Sequence, residues 1–397
     1  MNILILSYSN LDSDPRILRQ IEALSDHAKI YTAGYSSASR NFVHHRLIRH
    51  DRFHSHYPLL LRKLISLFYL HIRDFLLLIF FKHYYSYYWN FFRRRSYQLL
   101  RSQEKYDLII ANDIDTLPLA LKIAKNSDSP VWYDAHEYSP LENSEDGYWM
   151  RVYAPAITAW CKKFIPKATL CTTVSSGLVS EYKKLTGVDF ELVLNAPSFQ
   201  QHKTRTTNYP IKFIHHGGAM KARHPELMIQ VFAQLPPEKY ELHLMLTLNQ
   251  EPYYDELVQM AKPFKHIHFH KPVPTLDICA TINQYDVGLF LLPPVNFNYE
   301  FALPNKFFEF LQARLMILIG PSIEMKKIVE EYDLGIVTPS IEIKDIVAII
   351  HSITPDQVDK FKKNVDQSAM NLSGDLSVKK IQELFKRCLY VWDRRNH

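Results

Sequence analysis

Four stretches of this chain combine residue types at spacings that suit chemistry better than they suit packing. The most specific is Ala302-Leu303-Pro304-Asn305-Lys306-Phe307-Phe308-Glu309-Phe310-Leu311. Pro304 suits a helix start, where free backbone N–H groups and the positive end of the helix dipole face an anion. Lys306 adds a full charge at that end. Glu309, expected in the first turn, can accept hydrogen bonds from two vicinal hydroxyls, as a ribose offers. Capping explains Pro304 and Glu309 but not the whole string. In the second stretch, an apolar run at Phe213–His216 leads into Gly217-Gly218-Ala219-Met220-Lys221-Ala222-Arg223. Paired glycines let backbone approach a phosphate, which Arg223 can neutralise.

The other two stretches lie in the first half. After Ile3–Ser7, the segment Ser9-Asn10-Leu11-Asp12-Ser13-Asp14-Pro15-Arg16 puts Asp14 at an N-cap and Pro15 at the first helical position. Ligands of α/β sheets gather at the carboxyl ends of strands, which makes Asn10, Asp14 and Arg16 candidate wall residues of a cleft. Plain capping remains the other reading. The same rule covers Asn112-Asp113-Ile114-Asp115 after Leu108–Ala111, and Asp134-Ala135-His136-Glu137 after Val131–Tyr133. Asp113 and Asp115 match a short acidic pattern that elsewhere holds a metal and a diphosphate, but a three-residue match is cheap and no metal is assigned. The His136-Glu137 pair is harder to attribute to core filling, and it marks His136 for ligand handling.

Elements that could position these groups follow from the apolar pattern. Short Ile/Val/Leu runs alternate with amphipathic stretches, as when parallel strands are covered by helices on both faces. Strands are expected at Ile3–Ser7, Leu108–Ala111, Val131–Asp134 and Leu170–Val174. In the second half they are expected at Phe213–His216, Glu241–Leu246, Ile267–His270, Val287–Leu291 and Met316–Ile319. At 397 residues and 47% hydrophobic content, the chain suits two α/β domains. The polar, aperiodic stretch from Pro197 to Pro210 reads as their linker, giving an N-terminal domain over 1–198 and a C-terminal one over 199–375. Residues 376–397 read as a final helix, with Ile381, Leu384, Phe385, Cys388 and Val391 on one face, able to pack on either domain, packing back on the N-terminal one being one of the two options.

Composition excludes several classes. The Gly-x-Gly-x-x-Gly fingerprint is missing from both halves, which disfavours a nicotinamide dehydrogenase. Cys161, Cys171, Cys279 and Cys388 lie far apart without metal-ligand spacing, arguing against a zinc site or disulfide framework and for a reduced cytoplasm. The opening Met1–Ser7 has neither the basic region nor the apolar length of a signal peptide. The net charge of +6 is modest, but its positive part is concentrated between Leu59 and Arg101 among many aromatic rings. Arg73, Asp74 and Lys82 interrupt that stretch, so it is expected to lie on an anionic membrane surface and not to cross it. Ordinary buried helices are the plainer alternative. Nucleic-acid binding is disfavoured, because the basic residues form no stripe.

Taken in order, these motifs resemble the GT-B glycosyltransferases, specifically the large retaining, family-4-like group that includes bacterial lipopolysaccharide, capsule and mannosyl-lipid transferases. Asp14 to Leu24 resembles that family's first helix, Tyr133-Asp134-Ala135-His136-Glu137 its acceptor-side loop, Thr172-Thr173-Val174-Ser175 the strand before the linker, and Leu303 to Glu309 its donor helix. The resemblance implies two Rossmann-like domains facing each other across a cleft. It implies a nucleotide-sugar co-substrate, UDP- or GDP-linked, with its diphosphate near Gly217, Gly218, Arg223 and Lys306, and Pro304 and Asn305 at the donor-helix start. Its ribose would rest on Glu309 and its base beside Val273. It further implies an acceptor handled by Asp113, His136 and Glu137, no cofactor and no metal, and a lipid-linked or saccharide acceptor at the inner face of the plasma membrane. Three positions depart from the family pattern: Phe301 stands where a carboxylate often contacts the sugar, Ala219 where a basic residue is common, and Asn112 where many members carry histidine. A nucleotide-sugar epimerase on the same fold, or a non-catalytic membrane partner, are the competing readings.

Overall fold

The computed structural model describes residues 1–11, 14–35, 44–48, 91–101, 105–248 and 251–396. These form two compact units: Met1–Leu194 together with Val378–His397, and Asn195–Ser377.

The first unit is built on a seven-stranded parallel sheet. Its strands are β1 (Asn2–Leu6), β2 (Lys29–Gly34), β3 (His45–Leu47), β4 (Leu108–Asn112), β5 (Val131–Ala135), β6 (Leu170–Thr173) and β7 (Glu191–Leu192). They lie in the order β3-β2-β1-β4-β5-β6-β7. Strands β4 and β5 are buried along their full length, as expected of parallel strands covered on both faces. Asp14 caps the helix Pro15–Leu24, its Oδ1 accepting from the Arg16 N–H at 3.1 Å. That helix buries Ile17, Ala23 and Leu24 against Ile3, Ile5, Leu108, Ile110 and Trp132. Ile381, Leu384, Phe385 and Cys388 of the last helix, Gly374–Asn396, complete the same core. Gln382 Nε2 donates to the Ala23 carbonyl at 3.1 Å, and Arg387 pairs with Glu191 at 2.6 Å. The chain's last residues therefore close the unit that its first residues open.

The second unit has a six-stranded parallel sheet: β8 (Ile211–Gly218), β9 (Tyr240–Thr247), β10 (Ile267–His270), β11 (Val287–Phe290), β12 (Met316–Ile319) and β13 (Gly335–Val337), in the order β10-β9-β8-β11-β12-β13. One face carries Phe213, Leu242, Leu244, Leu289 and Leu318 into a core shared with Met228, Val231 and Phe232. On the opposite face, Gly288 lies under the helix Asn305–Gln312. A Cβ at Gly288 would stand 2.3 Å from Phe310 Cγ, so this glycine is what lets the helix settle on β11. Part of the polar stretch after Pro197 is tied to the second unit. The Phe199 N–H donates to Asp375, the Gln200 N–H donates to Gln312 Oε1 at 3.0 Å, and Arg314 Nη2 donates to the Gln200 carbonyl at 2.7 Å. Further on, Thr207 joins a buried cluster with Asp286 and Lys362. Gln200 and Thr207 bond inward to the second unit, while 203–206, 208 and 209 between and beyond them are exposed.

The α/β class expected from the apolar pattern is borne out by the two parallel sheets. Of the basic aromatic segment, residues 59–90 lie outside the described residues. Its end forms a helix, Phe91–Arg101, which buries Ser96 and Leu100; Asn126 donates to Tyr97 Oη at 2.8 Å. Among the described residues, no helix is long and apolar enough to cross a membrane.

Replacing Gly288 by Ala should lower unfolding stability by about 1–3 kcal/mol, because the Phe310 ring must move. Urea denaturation followed by circular dichroism measures this, and an unchanged midpoint would remove the seat assigned to Gly288.

Candidate functional site

In the second unit, β8 runs straight into Gly217-Gly218, and a short turn of helix at Lys221–Arg223 follows. Gly217 adopts φ +133°, a conformation L side chains rarely take, and a Cβ there would lie 2.6 Å from Lys306 Nζ. Lys306 thus rests against the bare backbone of Gly217, with an Arg223 guanidinium nitrogen 4.0 Å from the same point. Lys306 and Glu309 are each only 7% exposed. The ammonium sits 4.5 Å over the Phe290 ring and has no hydrogen-bond partner among the described residues; the same is true of Asn305 Oδ1.

The charges in this cluster are under strain. Burial, reinforced by Arg223 and opposed by Glu309, pulls the Lys306 ammonium down to about 7. Burial pushes the Glu309 carboxyl up to about 7, against the pull of Lys306. His216 Nε2 lies 3.3 Å from Glu309 Oε2 without hydrogen-bond geometry, and burial together with Lys306 holds its imidazole down at about 3. His216 is therefore neutral. Two cationic groups and a glycine backbone face one another with a single carboxylate nearby, an arrangement that favours a polyanion.

The structure refines the expected placements. Pro304 is the N-cap, with extended backbone, and not the first helical residue; Asn305 takes that place. Glu309 sits in the second helical turn, one turn beyond Asn305 and Lys306. Phe301 packs on Phe297 with ring centroids 4.7 Å apart, and Ala219 is fully buried. Val273 lies in the loop after β10, which is two strands away from β8. His216 was not among the expected site residues, although two histidines ending an apolar strand before a glycine pair is the signal that marks it.

In the first unit, the expected residues converge on Arg16. Its guanidinium grips Asp113 with two bonds, 3.1 Å to Oδ1 and 3.0 Å to Oδ2, and reaches Asp14 Oδ2 at 3.4 Å. Burial alone would lower the Arg16 pKa, but Asp113 and Asp14 outweigh it and hold the group above its ordinary range. Asp113 Oδ1 also accepts from the His136 N–H at 3.1 Å. Burial and Arg16, opposed by Asp113 and Asp14, keep the His136 imidazole below its usual pKa. Beneath them, Gln20 Nε2 donates to Asn112 Oδ1 and to Asp134 Oδ2, both at 2.9 Å, and Thr172 donates to Asp134 Oδ1. A pocket of about 280 Å³ opens here, lined by Asp113, Asp115, His136, Glu137 and Glu142 among others. Asp115 faces Arg93 at 3.6 Å while Asp113 faces Arg16, so the two carboxylates of the acidic pattern diverge to separate arginines. Asn10 is exposed in the loop after β1.

No protein-family model matches the chain, and no curated protein matches it in sequence. Solved structures do match. HepE from Anabaena in complex with UDP-glucose aligns over 98% of this chain and 100% of its own, with TM-score 0.69 at 13% identity. Sucrose-phosphate synthase from Thermosynechococcus elongatus aligns over 98% of both chains, with TM-score 0.69 at 12% identity. The lipopolysaccharide outer core galactosyltransferase WaaB aligns over 94% of this chain and 99% of its own, with TM-score 0.53 at 13% identity. The chain has the GT-B fold of the glycosyltransferases.

Lys306 makes a stability prediction that runs against intuition. Its pKa is about 7 in the folded chain against an ordinary 10.5, so between those values the unfolded chain holds more protons and stability climbs with pH. Below about pH 7 the lysine is charged in both states and the penalty is fully present. The Lys306→Met variant should therefore be more stable than the parent at pH 7, by about 1–4 kcal/mol. That advantage should shrink toward pH 10. Paired denaturation curves across this range test it, and a variant of equal or lower stability at pH 7 overturns the strained-ammonium account.

Proposed function

We propose that the chain is a retaining, metal-independent glycosyltransferase that moves a sugar from a UDP- or GDP-linked donor to a lipid-linked or cell-surface polysaccharide acceptor. The observation that carries this reading is the buried Lys306 ammonium, without a partner among the described residues and pressed against Gly217, with Arg223 beside it. A donor diphosphate is a polyanion of the kind such a group favours. When the bond from the sugar's anomeric carbon to the diphosphate breaks, negative charge grows on the leaving oxygen. Lys306, buried against Gly217, and Arg223 beside it are assigned to stabilise that charge, so they act more strongly in the transition state than in the ground state. Glu309, one turn along the helix, is assigned to the ribose hydroxyls, and Gly218, Pro304 and Asn305 to the diphosphate. The likeness to HepE bound to UDP-glucose supports a nucleotide-sugar donor.

On the acceptor side, we assign Asp113 and His136 to orienting the incoming hydroxyl, with Arg16 holding Asp113 in place and Glu137 at the pocket rim. Retention follows if the departing diphosphate takes the acceptor's proton while attack occurs on the face it leaves, which needs no enzymic nucleophile. The basic aromatic segment at 59–101 is assigned to an anionic membrane surface, which places the protein peripherally on the cytoplasmic face.

The test is transfer from labelled UDP- and GDP-sugars to a membrane lipid extract, with product anomers read by NMR. One nucleotide class should support transfer, and added magnesium should leave the rate unchanged. Lys306→Ala should lower kcat/KM by about 10²–10³-fold. Glu309→Ala should weaken nucleotide binding by about 10–100-fold. Nucleotide binding without turnover on any acceptor would sink the transferase reading in favour of a non-catalytic partner, and an unchanged Lys306→Ala would sink the donor site.

A further inference from the structure

A second polar cluster lies at the edge of the second unit's sheet. Strands β9 and β10 pair with His243 opposite His268. Side chains alternate along a strand, so Glu241 and His243 of β9 and His268 and His270 of β10 all leave the same face. Their neighbours Leu242 and Leu244 fill the core on the other face. His243 is buried, with its ring stacked against His268 at 4.7 Å and against His270 at 5.1 Å. Three histidines and a glutamate gathered on one patch is not what core filling selects.

The atoms facing one another are ligand atoms. His243 Nε2 stands 3.3 Å from Glu241 Oε2, and one ligand atom each from Glu241, His243 and His268 lie within 4.8 Å of one another. The other ring nitrogen, His243 Nδ1, is 2.9 Å from His270 Nε2. When Nδ1 donates its proton to His270, the Nε2 lone pair faces the Glu241 carboxylate oxygen and a cation can bridge the two; in the other tautomer Nε2 donates to Glu241 instead. Tetrahedral zinc, with bonds of about 2.0–2.2 Å, holds its donor atoms roughly 3.3–3.6 Å apart. Glu241 and His268 are both partly exposed, so rotation about their side-chain bonds is open to draw the three atoms toward that spacing.

We propose that Glu241, His243 and His268 bind a divalent transition metal, best matched by zinc, with solvent in the fourth position and His270 orienting His243. Glutamate and imidazole are ligands that zinc accepts, and a hydrogen-bonded partner on the remote imidazole nitrogen is the usual outer support of such a site. The four cysteines take no part; the sequence signal is Glu-x-His on one strand and His-x-His on the next. The site is separate from the Lys306 cluster. Gly217 is in register with Leu246, three residues beyond His243, or about 10 Å along the strand. Its consequence is structural: the metal ties edge strand β10 to β9 and so steadies the chain entering the Val273 loop.

The experiment uses the full chain without an affinity tag, stripped with chelator and titrated with zinc against a chromophoric competitor, with thermal midpoint and cobalt absorption read in parallel. One zinc per chain should bind, raise the midpoint, and be replaceable by cobalt with visible bands of four-coordinate intensity. Glu241→Gln and His268→Gln, chosen because buried His243 can be needed for folding, should each weaken binding at least about 100-fold while circular dichroism stays native. His270→Gln should weaken it about tenfold. A chain that binds no stoichiometric zinc, or whose binding survives in both Glu241→Gln and His268→Gln, overturns the site, the second result placing the metal elsewhere among the 19 histidines.

Discussion

An ammonium buried with no hydrogen-bond partner among the described residues is costly, and much of the second unit can be read as the means of keeping Lys306 in that state. The cost is tolerable only if the surrounding structure leaves the side chain no route to water. Phe310, seated in the space above Gly288, fixes the helix that carries Lys306, and the Phe290 ring lies under its charge. Gly217 then offers bare backbone where any side chain would collide. Glu309 and His216 are placed so that neither neutralises the lysine outright: the carboxyl is pushed toward protonation by burial, and the imidazole is kept neutral. A site strained in this way is relieved by an anion, which is the physical basis for reading it as a ligand site and not as a structural ion pair.

The first unit solves the opposite problem. Arg16 is also buried, but its Nη atoms are paired with carboxylates, and its bidentate grip on Asp113 fixes that side chain at the end of β4. Asp113 in turn receives the His136 N–H, so two strand ends and one helix are tied through a single guanidinium. Gln20, from the same helix, holds Asn112 and Asp134 one layer down. A histidine in place of Asn112 would have no such reciprocal amide pair, so the departure at this position has a local structural explanation. Burial shifts titratable groups in both units, but in the first the guanidinium is paired with carboxylates, whereas in the second the ammonium faces Arg223 and a carboxyl that burial pushes toward protonation.

The sequence by itself determined the α/β class, the runs that become the buried central strands, the glycine pair that ends β8, and the helix-start string around Lys306 and Glu309. It did so because burial on both faces writes continuous Ile/Val/Leu runs, and because helix starts and phosphate-approaching loops demand particular residues locally. It was weak at β2, β3, β7 and β13. Three of these are sheet edges, where partial exposure dilutes the apolar signal, and β2 carries a lysine, a tyrosine and a threonine in six residues. The apolar face of the last helix was legible, but not which sheet would receive it. Nor was it legible that Thr207 and Gln200 bond inward, that Glu309 lies a turn deeper than the capping position, or that His216 stands against it. Only tertiary structure decided these, along with the meeting of Arg16 with Asp113 across 97 residues and of Glu241 and His243 with His268. The reason is general to this fold: parallel strands adjacent in space are separated in sequence by whole crossover segments, so cross-strand partners leave no periodic trace in the chain.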